Sequence, residues 1–289
     1  MSHAPSSSAW LSGLETVTRL AAPLFLRHEL ARRVHARHPL GEMVAFSARA
    51  PDKETPNEDG AALVPVGTTA LVLVVADGAG GGPVGEEAAR IALTRLAGAL
   101  GEPGRDLREA MLNGIEAANG AILAGGSGAT TTLAAVSLER DGHGLRLRPY
   151  HVGDAQVLVC GQRGRIRLAT LSHAPVAYGV EAGLLDADEA LIHDERHLVS
   201  NILGTRDMRI ELGAPLRLAP RDTVVVASDG LFDNLHLEEV VEQVRKGPLL
   251  DAAAALVAAT ARRMAETAAD SPGKPDDLSF ILFRPDKRQ

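Results

Sequence analysis

One cysteine, Cys160, is all that 289 residues supply. No disulfide can close within the chain, and neither a thiolate metal cluster nor a redox pair can form. Cys160 lies in QVLVCG, where it reads as a small buried hydrophobe in a reducing compartment. An excess of basic residues is lacking too: the formal charge is −7, which disfavours a surface for gripping phosphate backbones, so nucleic acid is not an expected partner. No apolar run is long enough to span a bilayer, and MSHAPSSSAW has neither the basic start nor the apolar centre of a secretory signal. The expectation is a cytoplasmic protein without an integral membrane segment. Common catalytic signatures are missing as well. GAGGGPVGEE is not followed by GK[ST], the Gly80–Gly85 spacing is too loose for a dinucleotide fingerprint, and neither HExxH nor GxSxG occurs. What remains, with 45% hydrophobic and 23% charged residues, is ordinary globular material for one large domain or two small ones.

The first forty residues differ from the rest. Trp10, Leu14, Val17, Ala21 and Leu24 fall at helical spacing, and Arg19, Arg27, Arg32, Arg33 and Arg37 stand against only Glu15 and Glu29. This predicts an N-terminal helical extension over residues 1–40, either packed on the body or serving as a docking helix for a partner or an anionic surface. Beyond Pro39, strand-like runs follow at Met43–Ala50, Ala70–Ala76, Thr131–Leu138, Leu145–Val159, Arg165–Leu171, Met208–Leu212, Pro215–Leu218, Thr223–Ala227 and Leu278–Phe283. Amphipathic helices are expected at Glu86–Leu100 and Arg105–Leu123, and again at Leu237–Lys246 and Leu249–Thr267. Helices in two blocks, with strands joined by short turns, indicate an α+β fold with antiparallel pairing.

Two stretches pose the chemical question. LVLVVADG and TVVVASDG each run a β-branched strand into a carboxylate and then a glycine, at Asp77 and Asp229. Asp154 ends RPYHVGDA, Asp59 lies in NEDG, and Asp276 and Asp277 stand before the final strand, DDLSFILF. A single acid at a strand end is ordinarily a turn former. Several brought to one sheet edge would repel strongly unless cations neutralised them. An oxygen-only donor set points to Mg²⁺ or Mn²⁺, and a pair of such ions suits hydrolysis of a phosphate ester.

Taken in order, NED, VADGAGG, GATTT, VGDAQ, SDGLFDNL and DDLS resemble the motifs of the type 2C, metal-dependent serine/threonine protein phosphatases of the bacterial branch, from about Ala45 to Arg284. The resemblance implies a four-layer α/β/β/α sandwich, with two antiparallel sheets flanked by helical pairs, as a catalytic domain over residues 41–286. It also implies roles. Asp77 would bridge two Mn²⁺ or Mg²⁺ ions with the Gly78 carbonyl on one of them; Asp229 and Asp276 would complete the other. Asp59, with Glu58 beside it, would hold metal-bound water, and Asp154 would serve a weaker third ion. Asp233 would steady the cluster from outside it, as would Asn201 in SNILGT. Asp59, Asp77 and Asp229 are thereby the expected catalytic residues. A hydroxide bridging the ions would attack phosphoserine or phosphothreonine in one step, without a phosphoenzyme. The implied partners are phosphorylated proteins and a cognate serine/threonine kinase, in signal transduction.

The sequence departs from this family at two places. Where many relatives have an arginine three residues before the NED asparagine, Glu54 stands here, which leaves Lys53 as the candidate phosphate-binding group: a point charge without a fork. Ala79 stands where some relatives carry a histidine, so leaving-group protonation would fall to metal-bound water. Ser172–Ala190 corresponds to a variable flap near the site, with His173 its one notable histidine. The missing arginine also supports an alternative, a pseudophosphatase that binds phosphoproteins as a regulatory module without turning them over. A phosphatase of small phosphoesters is a third reading.

Overall fold

The computed structural model describes residue 10 and residues 13–27, 31–196, 198–266 and 273–286. The apolar run that ends at Asp77 explains the architecture. In strand β6 (Ala70–Ala79), Leu71, Leu73 and Val75 join one hydrophobic cluster while Val72, Val74 and Ala76 join another. Strand β13 (Thr223–Ala227) divides in the same way, with Val224 and Val226 on one side and Val225 and Ala227 on the other. Side chains alternate across a strand, so an unbroken apolar run means that both faces are covered.

Two seven-stranded sheets meet this demand. The first runs β1 (Leu14–Val17), β3 (Arg32–His38), β4 (Gly41–Ala48), β14 (Leu278–Pro285), β13, β9 (Gln156–Cys160) and β10 (Ile166–Ala169). The second runs β11 (Glu211–Leu212), β8 (Gly144–Val152), β7 (Thr130–Asp141), β6, β5 (Asp59–Val66) and β2 (Leu24–Leu26), with β12 (Leu216–Arg217) also on β8. Pairing is antiparallel except between β1 and β3. Helices α1 (Pro83–Leu100) and α2 (Leu107–Gly125) cover the second sheet, placing Leu93, Leu96, Met111 and Ile115 on Val72 and Val74. Asp106 caps α2 by accepting from the N–H groups of Arg108 and Glu109. Of two short helices, α3 (Pro175–Glu181) lies within the segment expected to be a variable flap and α4 (Ala187–Ile192) begins in it, and α5 (Asp229–Phe232) follows β13 directly. Helices α6 (Leu237–Val244) and α7 (Leu249–Met264) cover the first sheet. The expected end of α7, at Thr267, lies outside the described residues. The fold is the α+β, four-layer sandwich anticipated.

Three local readings are corrected. No helix forms over residues 13–27 and 31–38. They supply β1, β2 and β3 instead: β1 and β2 as edge strands of the two sheets, and β3 between β1 and β4. In RRVHARH the buried residues are Val34, Ala36 and His38, a period of two that sheet pairing exploits. One of the basic residues there is engaged within the fold: Arg32 gives Nη2 to Glu15 Oε2 at 2.6 Å and Nη1 to the Phe25 carbonyl at 3.0 Å. Trp10 rests near the Phe46 ring, with centroids 5.9 Å apart. His38 pairs with Gly41, so residues 39 and 40 form the tip of a β3–β4 hairpin. The remainder of the segment, residues 1–9, 11, 12 and 28–30, lies outside the described residues. Second, Leu145–Val159 is two strands, β8 and β9, on different sheets, and the break falls at Asp154. Third, β5 is concealed in the sequence by Pro65 and by alanines, and is recruited by pairing along its whole length with Ala70–Asp77 of β6. Cys160 is fully buried, and burial pushes its thiol up to about 11, as its inert reading requires.

Candidate active site

The sheets deliver their acids to one end of the sandwich. Asp59 opens β5 and lies directly opposite Asp77 near the end of β6. Asp154 sits in the turn where the chain crosses from β8 to β9, Asp229 is the first residue of α5, and Asp276 precedes β14. A serine network ties the two sheets together here. Ser228 Oγ donates to Asp59 Oδ2 at 2.7 Å and accepts from the Ser279 N–H at 3.1 Å. Ser279 Oγ lies 2.8 Å from Ser47 Oγ, which accepts from Asn57 Nδ2 at 3.0 Å, and Asn57 Oδ1 accepts from the Asp59 N–H at 3.0 Å.

Glycine is needed for close backbone approach. A Cβ on Gly78 would stand 2.1 Å from the Gly85 carbonyl oxygen and 2.8 Å from that of Glu58. A Cβ on Gly85 would meet Glu58 Oε1 at 2.2 Å. The two glycines thus let the first turn of α1 press against the Asp77 strand and the Glu58 side chain.

Electrostatics shows what the cluster needs. Burial, joined by mutual repulsion, raises Asp59, Asp77 and Asp154 well above the carboxylate range. The same causes push Asp276 up to about 7 and Asp233 up to about 6. Asp229 is the exception. Burial acts against its charge, yet Lys274, a hydrogen bond from Asp77 and the Gly230 N–H together hold it below the usual range. Glu58 Oε1 is buried with no hydrogen-bond partner. Crowded carboxylates that favour protons, an orphaned buried oxygen and a donor set of oxygen alone fit hard divalent cations.

With this geometry in place, comparison with known proteins is decisive. The family model described as Protein phosphatase 2C matches residues 48–270. The chain belongs to the protein phosphatase 2C family. Mycobacterium tuberculosis serine/threonine protein phosphatase PstP is 29% identical over 221 residues, covering 74% of this chain and 40% of that protein; the chain thus spans under half the length of this curated relative. The crystal structure of PstP aligns at 25% identity with a TM-score of 0.69, over 86% of this chain and 99% of that one. The serine/threonine phosphatase of S. agalactiae aligns at 25% identity and a TM-score of 0.72, over 85% and 99%. A PstP catalytic domain in complex with two manganese ions aligns at 25% identity and 0.68, over 86% and 99%.

Within this phosphatase 2C fold, Asp59, Asp77, Gly78, Asp229 and Asp276 come together as the sequence suggested, with Asp154 and Asp233 beside them. Lys53 is differently employed. Its Nζ donates to Asp277 Oδ2 at 2.6 Å and to Glu58 Oε2 at 2.8 Å, which makes it a bracket for the Glu58–Asp59 turn. Asn201 stands one step back: it bonds His173 Nδ1 at 3.0 Å and the backbone of Arg209 on both sides. His173 Nδ1 accepts from the Gly153 N–H at 3.0 Å, and its own N–H donates to the Gly153 carbonyl at 3.0 Å. That leaves Nε2 as the protonated nitrogen, donating to Glu211 Oε2 at 3.0 Å. His151, His173 and Glu211 lie close enough to suggest a metal site. The fixed tautomer instead makes His173 a brace for the Asp154 turn.

Two functional groups escaped sequence reading. Asp277, recognised only as a neighbour of Asp276, accepts from the Ala50 and Glu58 N–H groups, each at 2.7 Å, besides holding Lys53. Lys274, in GKPDD, reaches into the acid cluster. A cation two residues before Asp276 was the only signal it offered.

Proposed function

We propose that the protein is a metal-dependent phosphatase of phosphoserine and phosphothreonine in proteins, acting opposite a serine/threonine kinase in the cytoplasm. The observation that supports this most directly is the convergence of Asp59, Asp77, Asp229 and Asp276, from both sheets, in a chain of the protein phosphatase 2C family. Asp59, Asp77, the Gly78 carbonyl, Asp229 and Asp276 would hold two Mn²⁺ or Mg²⁺ ions. When bound, these ions supply Lewis-acid polarisation of the phosphoryl oxygens and a water acidic enough to attack at neutral pH. The chain's own part is preorganisation. The Ser228 hydroxyl fixes one oxygen of Asp59, and the Lys53–Asp277 bracket holds the turn that carries Asp59. The chain offers no histidine after Gly78 as a proton donor, since Ala79 stands there.

The test is hydrolysis of p-nitrophenyl phosphate and of a phosphothreonine peptide with Mn²⁺, Mg²⁺ or EDTA, alongside Asp77→Asn. Turnover that requires the divalent ion and disappears in the variant is expected. Turnover that survives EDTA, or an Asp77→Asn enzyme as fast as wild type, overturns the assignment. The pseudophosphatase reading draws on Lys53, the candidate phosphate ligand, being bound between Glu58 and Asp277. Folded protein that takes up Mn²⁺ and binds the phosphopeptide without turnover would favour it.

A further inference from the structure

The acid cluster already contains one cation of its own. Lys274 Nζ lies 2.8 Å from Asp229 Oδ2, 2.8 Å from Asp233 Oδ2 and 3.0 Å from Asp276 Oδ2. An ammonium has three N–H donors, and each has a carboxylate here. The contact is built from the backbone upward. The fully buried Asn234 donates Nδ2 to the Lys274 carbonyl at 2.9 Å and accepts the Lys274 N–H on Oδ1 at 2.9 Å. The same Nδ2 also donates to the Gly230 carbonyl at 3.0 Å, which locks the lysine's segment to α5 and hence to Asp229. The side chain is therefore delivered to the acids by a fixed backbone.

We propose that Lys274 acts as a tethered monovalent cation that takes the Asp233 side of the cluster and limits its capacity to two divalent ions. This rests on the metal-dependent reading above. The ammonium's ion pairs are with Asp229, Asp233 and Asp276, and neither Asp59 nor Asp77 is among them. Asp233 is different: its ion pair is with Lys274, so a divalent ion at Asp154 and Asp233 would have to sit against a fixed positive charge. Asp229 and Asp276 meet the ammonium through Oδ2, so Oδ1 of each is the oxygen turned to a metal, that of Asp276 while also accepting the Asp277 N–H at 2.9 Å.

Mn²⁺ binding at pH 8, read as ion count and affinity by calorimetry and by the loss of the free-ion electron paramagnetic resonance signal, tests this without relying on turnover. Wild type is expected to bind two ions. Lys274→Gln is expected to gain one, Lys274→Arg to keep the wild-type count, and Lys274→Gln with Asp233→Asn to return to it. Should Lys274→Gln fold poorly, Asp233→Asn alone decides: it must leave the wild-type count unchanged, and a lost ion there overturns the proposal. Equal count and affinity in wild type and Lys274→Gln overturn this inference alone. Failure of both chains to bind Mn²⁺ overturns the metal-dependent reading together with it.

Discussion

Asp277 is buried and is assigned no metal-ligand role, yet it holds the first acid of the site in position. Its Oδ1 accepts from Ala50 N–H, and its Oδ2 accepts from Glu58 N–H and Lys53 Nζ, at 2.6 to 2.7 Å. Replacing it with alanine removes three charge-assisted hydrogen bonds and leaves two backbone donors in a buried place, where an unmet donor costs about 1–3 kcal/mol. Lys53 keeps Glu58 as a partner, so its charge is not stranded. Breaking a buried pair from one side typically costs about 3–5 kcal/mol, and the individual losses do not add. Asp277→Ala is therefore expected to lose about 3–5 kcal/mol, a fall in Tm of about 6–20 °C for a domain of this size. Asp277→Asn, which keeps the volume and one acceptor, should lose about 2 kcal/mol. Urea denaturation in EDTA, followed by far-UV circular dichroism and by the fluorescence of the single tryptophan, Trp10, measures both. The mutation should also weaken Mn²⁺ binding, because the turn carrying Asp59 loses its anchor. An alanine variant within about 1 kcal/mol of wild type, with unchanged Mn²⁺ affinity, would refute the reasoning.

Gly78→Ala places its Cβ against the backbone of Gly85, which has no flexible end to move aside. It should cost about 1–3 kcal/mol by forcing α1 away from β6, and calorimetry showing an unchanged Tm would count against it. In EDTA, the acid cluster should make stability fall as pH rises from 5 to 8, outweighing the opposite contribution of His38 and His151, whose imidazoles burial holds low. Asp276, pushed up to about 7, and Asp233, up to about 6, hold protons in the folded chain that the unfolded chain has already released, and so resist ionisation. Asp229, held low, loses its contribution only below that window, and Lys274, held high, only above it. Saturating Mn²⁺ should reverse the trend, since the ions require the carboxylates ionised. Melting curves at pH 5.5 and 8, with EDTA or Mn²⁺, decide the sign; greater stability at pH 8 in EDTA would contradict it.

Much of the site was legible in the chain because its logic is local. A strand that must be apolar on both faces announces its end when a carboxylate and glycine interrupt it, and Asp77 and Asp229 needed nothing more to be found. The helical blocks were equally plain, since α1, α2, α6 and α7 each carry one periodic apolar face. Tertiary structure decided the rest wherever local preference was weak or partners lay far apart. The arginine-rich start has both helical and alternating spacing, and only pairing with β4 and β5 turns Arg32–His38 and Leu24–Leu26 into strands. Lys53 carried the charge of a phosphate ligand in sequence, but its distance from Asp277 along the chain concealed the ion pair that claims it. For Lys274, nearness to Asp276 was visible in GKPDD. Its contacts to Asp229 and Asp233 exist because Asn234 fastens two segments some forty residues apart. Sequence determines which acids arrive at the strand ends, through burial and alternation; long-range pairing determines which cations are waiting there.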